Sequence, residues 1–481
     1  MKFIPSFLKI KTGRKYPVIV PSGTHPMERR LIERGVLDIL FRLRKNGYQS
    51  YLVGGCVRDI LLGMTPKDFD IVTDAHPRQI KRLFSRCYLI GKRFRLAHVY
   101  ISADRFIEVA TFRAAAVSMV SHGKAFQNNN VFGTIEEDVM RRDFTINALY
   151  YNSADSSIVD YTGGLADINR KILRSIGEPA ERFKEDPVRI IRAARFSARF
   201  GFRLSKKDYS AAVAGADLIK DANANRLLEE LYKILRCGAS AGSIVKLHRF
   251  GVLKYWLPEL DEKGVGVHIR ERLGVIDRRR LAGEEVPVGV LITALFYDLF
   301  SSLSESSVIN AGSHDVFMKA REIFSPIAAR LHLPRKESDR VCNIVSRMPY
   351  FLDSNDRKRN SSFEQRFIRN EHFSDSLFFY DILSEIKEGY SVKVKYWKKL
   401  AEGLKDDSGR KNQSGDDRQK ASGRTEKTGR KPGMDKKSPD KVEAGSESPA
   451  KKKNRSRKYR GRAGKKSGDK PSDTGKETGI E

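Results

Sequence analysis

The stretch Leu52–Thr73, LVGGCVRDILLGMTPKDFDIVT, places two aspartates two residues apart. Side chains alternate along a strand, so Asp68 and Asp70 share one face while Phe69 points to the other. Two carboxylates side by side repel unless a cation sits between them. Hard divalent ions with oxygen ligands, typically Mg²⁺, suit such a pair. Two such ions about 4 Å apart are a general scheme for nucleotidyl transfer. Upstream, Gly54 and Gly55 let the backbone approach a triphosphate, and the start of the following helix favours anions. Arg58 could then clamp a phosphate oxygen. An isolated Asp-x-Asp is more often a solvated turn, and a lone Gly-Gly says less. The full string G-G-x-x-R-D-x-L-L-G-x-x-x-x-D-x-D, in strand–helix–strand order, is far more specific for a metal site.

A third acid normally completes such a site, and two residues compete for the place. Glu108 lies in FIEVATFR, on a strand expected at Phe106–Phe112, where a plain surface acid is the simpler reading. Asp143 follows Arg141-Arg142 and opens a helical segment, which it could equally cap. Further on, Glu185–Arg199 reads as a helix start, with Asp186 as N-cap and Pro187 in the first position. Asp186 and Arg189 then share a face at i, i+3. A carboxylate accepts from the amino group of adenine, and a guanidinium donates to its ring nitrogen. Cytosine presents the same order, and uracil and guanine reverse it. The pair therefore rejects UTP and GTP without separating ATP from CTP. Arg192 and Arg195 continue this basic stripe towards phosphate or face solvent.

These residues need a scaffold. Ile32, Val36, Ile39, Leu40 and Leu43 fall on one face of a helix over Arg30–Lys45, which Asn46-Gly47 stops. Tyr48–Val53, Asp68–Thr73, Leu96–Ser102 and Phe106–Phe112 read as strands, and Val57–Leu62 as a short helix. From about Asp143 the helical period dominates. The fold class is α+β: a small mixed sheet with helices, then an all-α region. The expected divisions are an N-terminal extension (1–30), a catalytic head (31–160), a helical neck that binds the base (161–240), a helical RNA-binding body (241–404) and a tail (405–481).

The chain has 481 residues and a formal net charge of +31. At 40% hydrophobic residues it can build real cores, so a wholly disordered chain is excluded. No apolar run reaches the roughly 18 residues of a membrane span. Val288–Phe300 is broken by Thr293 and Asp298 and reads as a buried helix. The start, MKFIPSFLKIKTGRK, lacks the apolar core and cleavage site of a signal peptide. Cys56, Cys87, Cys237 and Cys342 form no C-x-x-C pair, which argues against disulfides and zinc fingers and for a reducing, cytoplasmic setting. So basic a chain points to nucleic acid, although anionic lipid attracts the same charge. Residues 405–481 carry 24 Lys/Arg against 13 Asp/Glu and almost no large apolar side chains, the composition of a disordered segment. Within it Lys451, Lys452, Lys453, Arg455 and Arg457 form a dense cationic run, a solubilising tail or a non-specific RNA tether.

The long carboxylate string resembles the signature of the class II nucleotidyltransferases, which comprise the tRNA CCA-adding enzymes and the bacterial poly(A) polymerases. The resemblance continues through RRDFTINALYYN (Arg141–Asn152), DYTGGLADI (Asp160–Ile168), EDPVRIIRAARFSARFGF (Glu185–Phe202) and RLLEELYKIL (Arg226–Leu235), and more weakly to about residue 400. It implies that Arg142, Asp143 and Asn147 serve ribose and nucleotide recognition, that Arg113 reaches the reacting phosphates, and that Asp186 and Arg189 template the base. LIGKRFRLAHV (Leu89–Val99) is similar to a stretch that marks the bacterial poly(A) polymerases, and there Lys92, Arg93 and Arg95 put cations where RNA or triphosphate could lie. Cys56 departs from the small residue common at its position and reads as a packing group. The expected function is addition of AMP from ATP to RNA 3′ ends, with two Mg²⁺ ions and with RNA-decay machinery as a possible partner. A tRNA CCA- or A-adding enzyme is the alternative, and a non-catalytic RNA-binding protein the second.

Overall fold

The computed structural model describes residues 17–91, 96–114, 117–121, 124–128, 132–261, 265–304, 313–352 and 361–403. The cations expected to hold RNA at Lys92, Arg93 and Lys451–Arg457 lie outside them, as does the whole of a second compact unit, Ser414–Glu481.

An eight-stranded sheet organises the N-terminal part. Its strands are β1 (Val18–Val20), β2 (Ser50–Val53), β3 (Asp70–Thr73), β4 (Cys87–Ile90), β5 (Leu96–Tyr100), β6 (Phe106–Thr111), β9 (Leu149–Asn152) and β10 (Ser157–Asp160), a separate hairpin supplying β7 (Val117–Ser121) and β8 (Lys124–Asn128). The order across the sheet is β1-β10-β9-β2-β3-β6-β5-β4. All neighbours are antiparallel except β3 and β6, whose parallel register sets Asp70 beside Glu108.

Period-two alternation sorts the side chains into two layers. On the back, Ile71, Ala97, Val99, Ile107 and Val109 are buried in one core with Val36, Ile39, Leu40 and Leu43 of α1 (Arg34–Lys45) and Ile80 of α3 (Pro77–Leu83). On the front, Val53, Val72 and Tyr150 form a smaller cluster with Ile135 and Val139 of α4 (Ile135–Arg141). Ala110 of β6 packs against this cluster, whereas the front residues Phe106 and Glu108 of β6, His98 and Tyr100 of β5 and Tyr88 of β4 belong to neither core.

Three local expectations are corrected. The sheet takes in residues 18–20, so the expected extension 1–30 contributes a strand; three residues are too short to show a period. Two strands, β9 and β10, follow Asp143, where a helical period was expected. Leu149, Tyr150 and Tyr151 are all fully buried, and a strand covered on both faces carries no alternation to read. The strand expected from Asp68 begins at Asp70. Phe69 still points into the back core, with Asp68 and Asp70 outside it.

Beyond the sheet the chain is helical. The helix α7 (Val188–Phe200) lies between two cores: Ala193, Phe196 and Phe200 join the back core of the sheet, while Ile190, Ile191 and Ala194 join the large helical core. Opposite it runs α9 (Ala224–Arg236), capped by the Asn223 side chain, which accepts from the Arg226 N–H. The apolar stretch at Val288 forms a helix to Phe296 and then a 3-10 turn. Its two polar residues are satisfied within the protein. Thr293 donates to the Gly289 carbonyl at 2.7 Å, and Asp298 accepts from Arg272 at 2.8 and 2.9 Å. Among the described residues no helix is long and apolar enough to cross a membrane.

The turn after β10 braces the later site. Buried Asp160 accepts from the N–H groups of Thr162, Gly163, Gly164 and Leu165 at 2.8–3.1 Å. Gly164 then packs so closely on the 3-10 turn Thr145–Asn147 that a Cβ there would stand 2.3 Å from the Thr145 carbonyl oxygen. Gly164→Ala should therefore destabilise the fold by about 1–3 kcal/mol, the usual cost of overpacking. A urea midpoint equal to that of the wild type would contradict this packing.

Candidate active site

A cavity of about 570 Å³ opens where the turn after β2, the start of β3, the segment after α4 and the helices α7 and α9 meet. Gly54, Gly55, Arg58 and Asp70 form one wall, Arg142, Asp143 and Asn147 a second, and Asp186, Arg189, Arg192, Arg226 and Glu230 the third. Nine Arg and Lys side chains line it against five acids, so its field suits an anion of several charges.

Gly54 links β2 to α2 (Gly55–Leu61) at φ +77°, ψ −124°, a conformation closed to residues with a Cβ. The next residues point inward. Cys56 is fully buried and its thiol donates to the Val53 carbonyl at 3.4 Å. Burial pushes that thiol up to about 12. Arg58 is buried as well. Its Nε donates to Asp59 at 2.8 Å, one terminal nitrogen donates to the Asn147 side-chain oxygen, and the guanidinium lies 4.5 Å from the Phe200 ring. Three of the five Arg58 N–H groups are thus held inside the protein, where they brace Asn147, while the residue also lines the cavity.

Asp70 stands at the cavity edge, at the first position of β3. Its side chain reaches solvent, yet the protein around it together with Glu108 and Asp68 raises its carboxyl to about 6, Arg142 opposing. Asp68 is exposed just before the strand. Glu108 is half-exposed on β6, in register with Asp70 and 3.5 Å from His98. Among the described residues no three His, Cys, Asp or Glu side chains converge into a complete metal site. The donor chemistry nonetheless suits Mg²⁺, which is commonly bound through one or two carboxylates, with waters and substrate phosphates filling the rest. The raised carboxyl of Asp70 comes first from the protein packed around it and then from the charge of Glu108 and Asp68, an environment that a cation would relieve.

Asp143 has a different role from the one its position suggests. It sits in the bend between α4 and the 3-10 turn and opens no helix. One oxygen accepts from the Phe144 N–H and from Asn147 at 2.8 and 2.9 Å, and the other accepts from Arg192. Burial works against its charge, but Arg192 and Asn147 outweigh it and hold the carboxyl at about 2. Both its oxygens are thus engaged within the protein, while Glu108 is the acid in register with Asp70. Arg142 pairs with Asp138 at 2.8 Å and donates to the Tyr150 hydroxyl at 2.9 Å. Arg113 lies off the cavity wall, its backbone N–H 3.4 Å from Asp138.

The third wall carries the expected base readers. Asp186 closes α6 (Pro179–Glu185), and Pro187, one residue later than expected, takes the N-cap of α7. Asp186 and Arg189 approach to 4.0 Å. Each is held from behind: Arg226 donates to both Asp186 oxygens at 2.9 and 2.7 Å, and Arg189 donates to Glu185 at 2.7 Å. Arg192 and Arg195 both reach Glu230, which is buried and also accepts from Lys233. Sequence reasoning missed Arg226, Glu230 and Asp138. The signal for Glu230 was the Arg stripe on α7, which needs acids from a facing helix, and Glu229-Glu230 stand in the next helical stretch.

Comparison with known proteins places these features in context. Residues 50–174 match the family model for the poly(A) polymerase head domain, and residues 201–263 the one described as a probable RNA and SrmB-binding site of polymerase A. The poly(A) polymerase I of Haemophilus influenzae is 32% identical over 410 residues, covering 81% of this chain and 89% of that protein. That of Salmonella typhi is 41% identical over 256 residues, covering 52% and 55%. The chain thus spans about half the length of the Salmonella typhi relative and nearly nine-tenths of the Haemophilus influenzae one. A crystal structure of the Bacillus stearothermophilus CCA-adding enzyme with CTP is 26% identical, with a TM-score of 0.56 over 78% of this chain and 84% of that one.

The Asp70 carboxyl yields a test that needs no activity. A carboxyl raised from 3.8 to about 6 favours the folded state only while protonated. That stabilisation is full below about pH 4 and gone above about pH 6. In chelator at pH 7.5, Asp70→Asn should melt higher than the wild type, and the difference should shrink as pH falls from 6 to 4. Mg²⁺ should raise the wild-type midpoint more than that of the variant. Equal midpoints at pH 7.5 would count against the charge crowding.

Proposed function

Since the chain belongs to the family that unites poly(A) polymerases with CCA-adding nucleotidyltransferases, we propose that it is a template-independent RNA 3′-adenylyltransferase. The observation that carries this is the cavity itself, where the Gly54 turn, Asp70 and the Asp186/Arg189 pair face one space. In the proposed reaction the 3′-hydroxyl oxygen of RNA bonds to the α-phosphorus of ATP. The bond from that phosphorus to the bridging oxygen breaks, and pyrophosphate leaves.

The triphosphate would lie along the Gly54–Gly55 turn and the cationic walls. Asp143, fixed by Arg192 and Asn147, would hold the ribose side of the cavity in shape. Asp186 and Arg189, braced by Arg226 and Glu185, would read the base edge. Asp68 and Asp70, with Glu108 beside them, would hold the Mg²⁺ ions, which supply charge neutralisation at the phosphates and a more acidic attacking hydroxyl. Glu108, half-exposed, would take the hydroxyl proton. The rest of catalysis is positioning in a preformed field.

Addition to varied RNA ends, and not to tRNA alone, is supported by the similarity to poly(A) polymerase I over most of both chains. CCA addition is the second reading. It is favoured by the likeness to a CCA-adding enzyme and by a base-reading pair that accepts cytosine as well as adenine.

Purified chain, Mg²⁺ and each nucleoside triphosphate singly, with a generic oligoribonucleotide or a tRNA lacking its CCA end, separate the two. The expected result is an ATP-dependent ladder on the generic RNA, reduced at least about 100-fold by Asp68→Ala or Asp70→Ala, since metal catalysis contributes several kcal/mol. Products confined to tRNA and ending at CCA would overturn the adenylyltransferase reading.

A further inference from the structure

The row of side chains that holds Asp70 does not end at Glu108. Register carries it from Asp70 to Glu108 on β6, to His98 on β5 and to Tyr88 on β4. The next row pairs Phe106 with Tyr100. Directly paired residues point to the same face, so these four rings share the front of the sheet with the carboxylates. They touch one another: His98 lies flat on Phe106 at 4.1 Å, and Tyr100 stands 5.6 Å from both Phe106 and Tyr88. The alternate residues, Ala97, Val99 and Ile107, are buried behind them. Yet Tyr88 is 62% and Phe106 39% exposed. A joined aromatic surface in water is a costly feature that usually marks an interaction site.

Its place on the sheet indicates the occupant. Asp70 lines the cavity and is also in register with Glu108, beside the rings, so it stands between two surfaces. The nucleotide cavity lies on the side of β2, and the rings lie on the side of β6, β5 and β4. In an in-line displacement the attacking and leaving oxygens stand on opposite sides of phosphorus. With the nucleotide in the cavity, the attacking hydroxyl arrives from the side of Glu108. From β3 to β4 is three strand spacings, about 14 Å, or the rise of about four stacked nucleotides. Ring faces bind any base, which suits an enzyme that must accept varied ends.

We propose that His98, Tyr88, Tyr100 and Phe106 form a stacking surface for the last unpaired bases of the RNA that is extended. This rests on the reading of the chain as an RNA 3′-end nucleotidyltransferase and adds the path by which the RNA enters.

The full chain is tested with a short oligoribonucleotide carrying 2-aminopurine next to its 3′ end. Stacking should quench the probe on binding. Tyr88→Ala and Phe106→Ala should each lose the quench and raise the RNA KM about tenfold, within the range for loss of one base–aromatic stack. Tyr88→Phe and Phe106→Tyr should retain both. ATP binding in the absence of RNA should not change, which separates a lost surface from a damaged fold. Alanine variants with wild-type quench and an RNA KM within twofold would overturn the proposal while leaving the adenylyltransferase reading intact. A wild-type chain that adds no nucleotide, yet shows ring-dependent quenching, would overturn that reading and support the surface.

Discussion

The Arg stripe of α7 can line the cavity only because buried acids meet it. Glu230 accepts from Arg192, Arg195 and Lys233, and Asp143 closes the other side of Arg192. These pairs run between separate elements, so they fix the angle at which α7 faces the sheet. Their net contribution to stability is small, because the desolvation of each charge offsets most of the attraction. What they contribute is geometry. Loss of one partner would leave an isolated charge inside the protein, a cost of about 3–5 kcal/mol that keeps the arrangement in one form. Phe196 adds to this order, with Arg195 stacked 4.3 Å over its ring and Arg192 at 5.2 Å.

The chemistry was legible where it is written in short-range spacing. Asp68, Asp70, the Gly54-Gly55 turn and the Asp186/Arg189 pair all lie in motifs whose parts are within about 20 residues of one another. The structure brings Asp70, both glycines, Asp186 and Arg189 to one cavity. What the sequence hid depends on long-range pairing. That Glu108 rather than Asp143 stands next to Asp70 follows from the parallel register of β3 and β6, and nothing local encodes a register between strands with a helix and two strands between them. The role of Asp143 turned on Arg192, 49 residues away. The strand content was underestimated for a related reason. Tyr150 and Tyr151 face different cores, so the segment gave no period, and β1 is only three residues long.

Both halves of the front face obey the same alternation, but they are finished differently. Over β2 and β9 the outward residues are capped by α4 and form a small core of their own. Over β5 and β4 the same positions carry rings, of which Tyr88 is 62% exposed. The sheet thus presents three zones in succession: an enclosed apolar patch, a line of acids, and an open aromatic strip. The acids sit at the boundary, which is why Asp70 is crowded by protein on one side and wet on the other. Its elevated carboxyl follows from that position, without any special residue being required.

The thiol between Gly55 and Val57 has a consequence for chemical durability. A sulfur that keeps its proton until about pH 12 is present as thiolate in negligible amount under cellular conditions, and only the thiolate attacks peroxides, alkylating agents or soft metals. Cys56 lies one residue from the turn that faces the nucleotide cavity, where oxidation to a bulkier, charged sulfur acid would wreck the backbone path. Its burial makes that corner of the molecule insensitive to oxidants that inactivate many enzymes through a vulnerable cysteine.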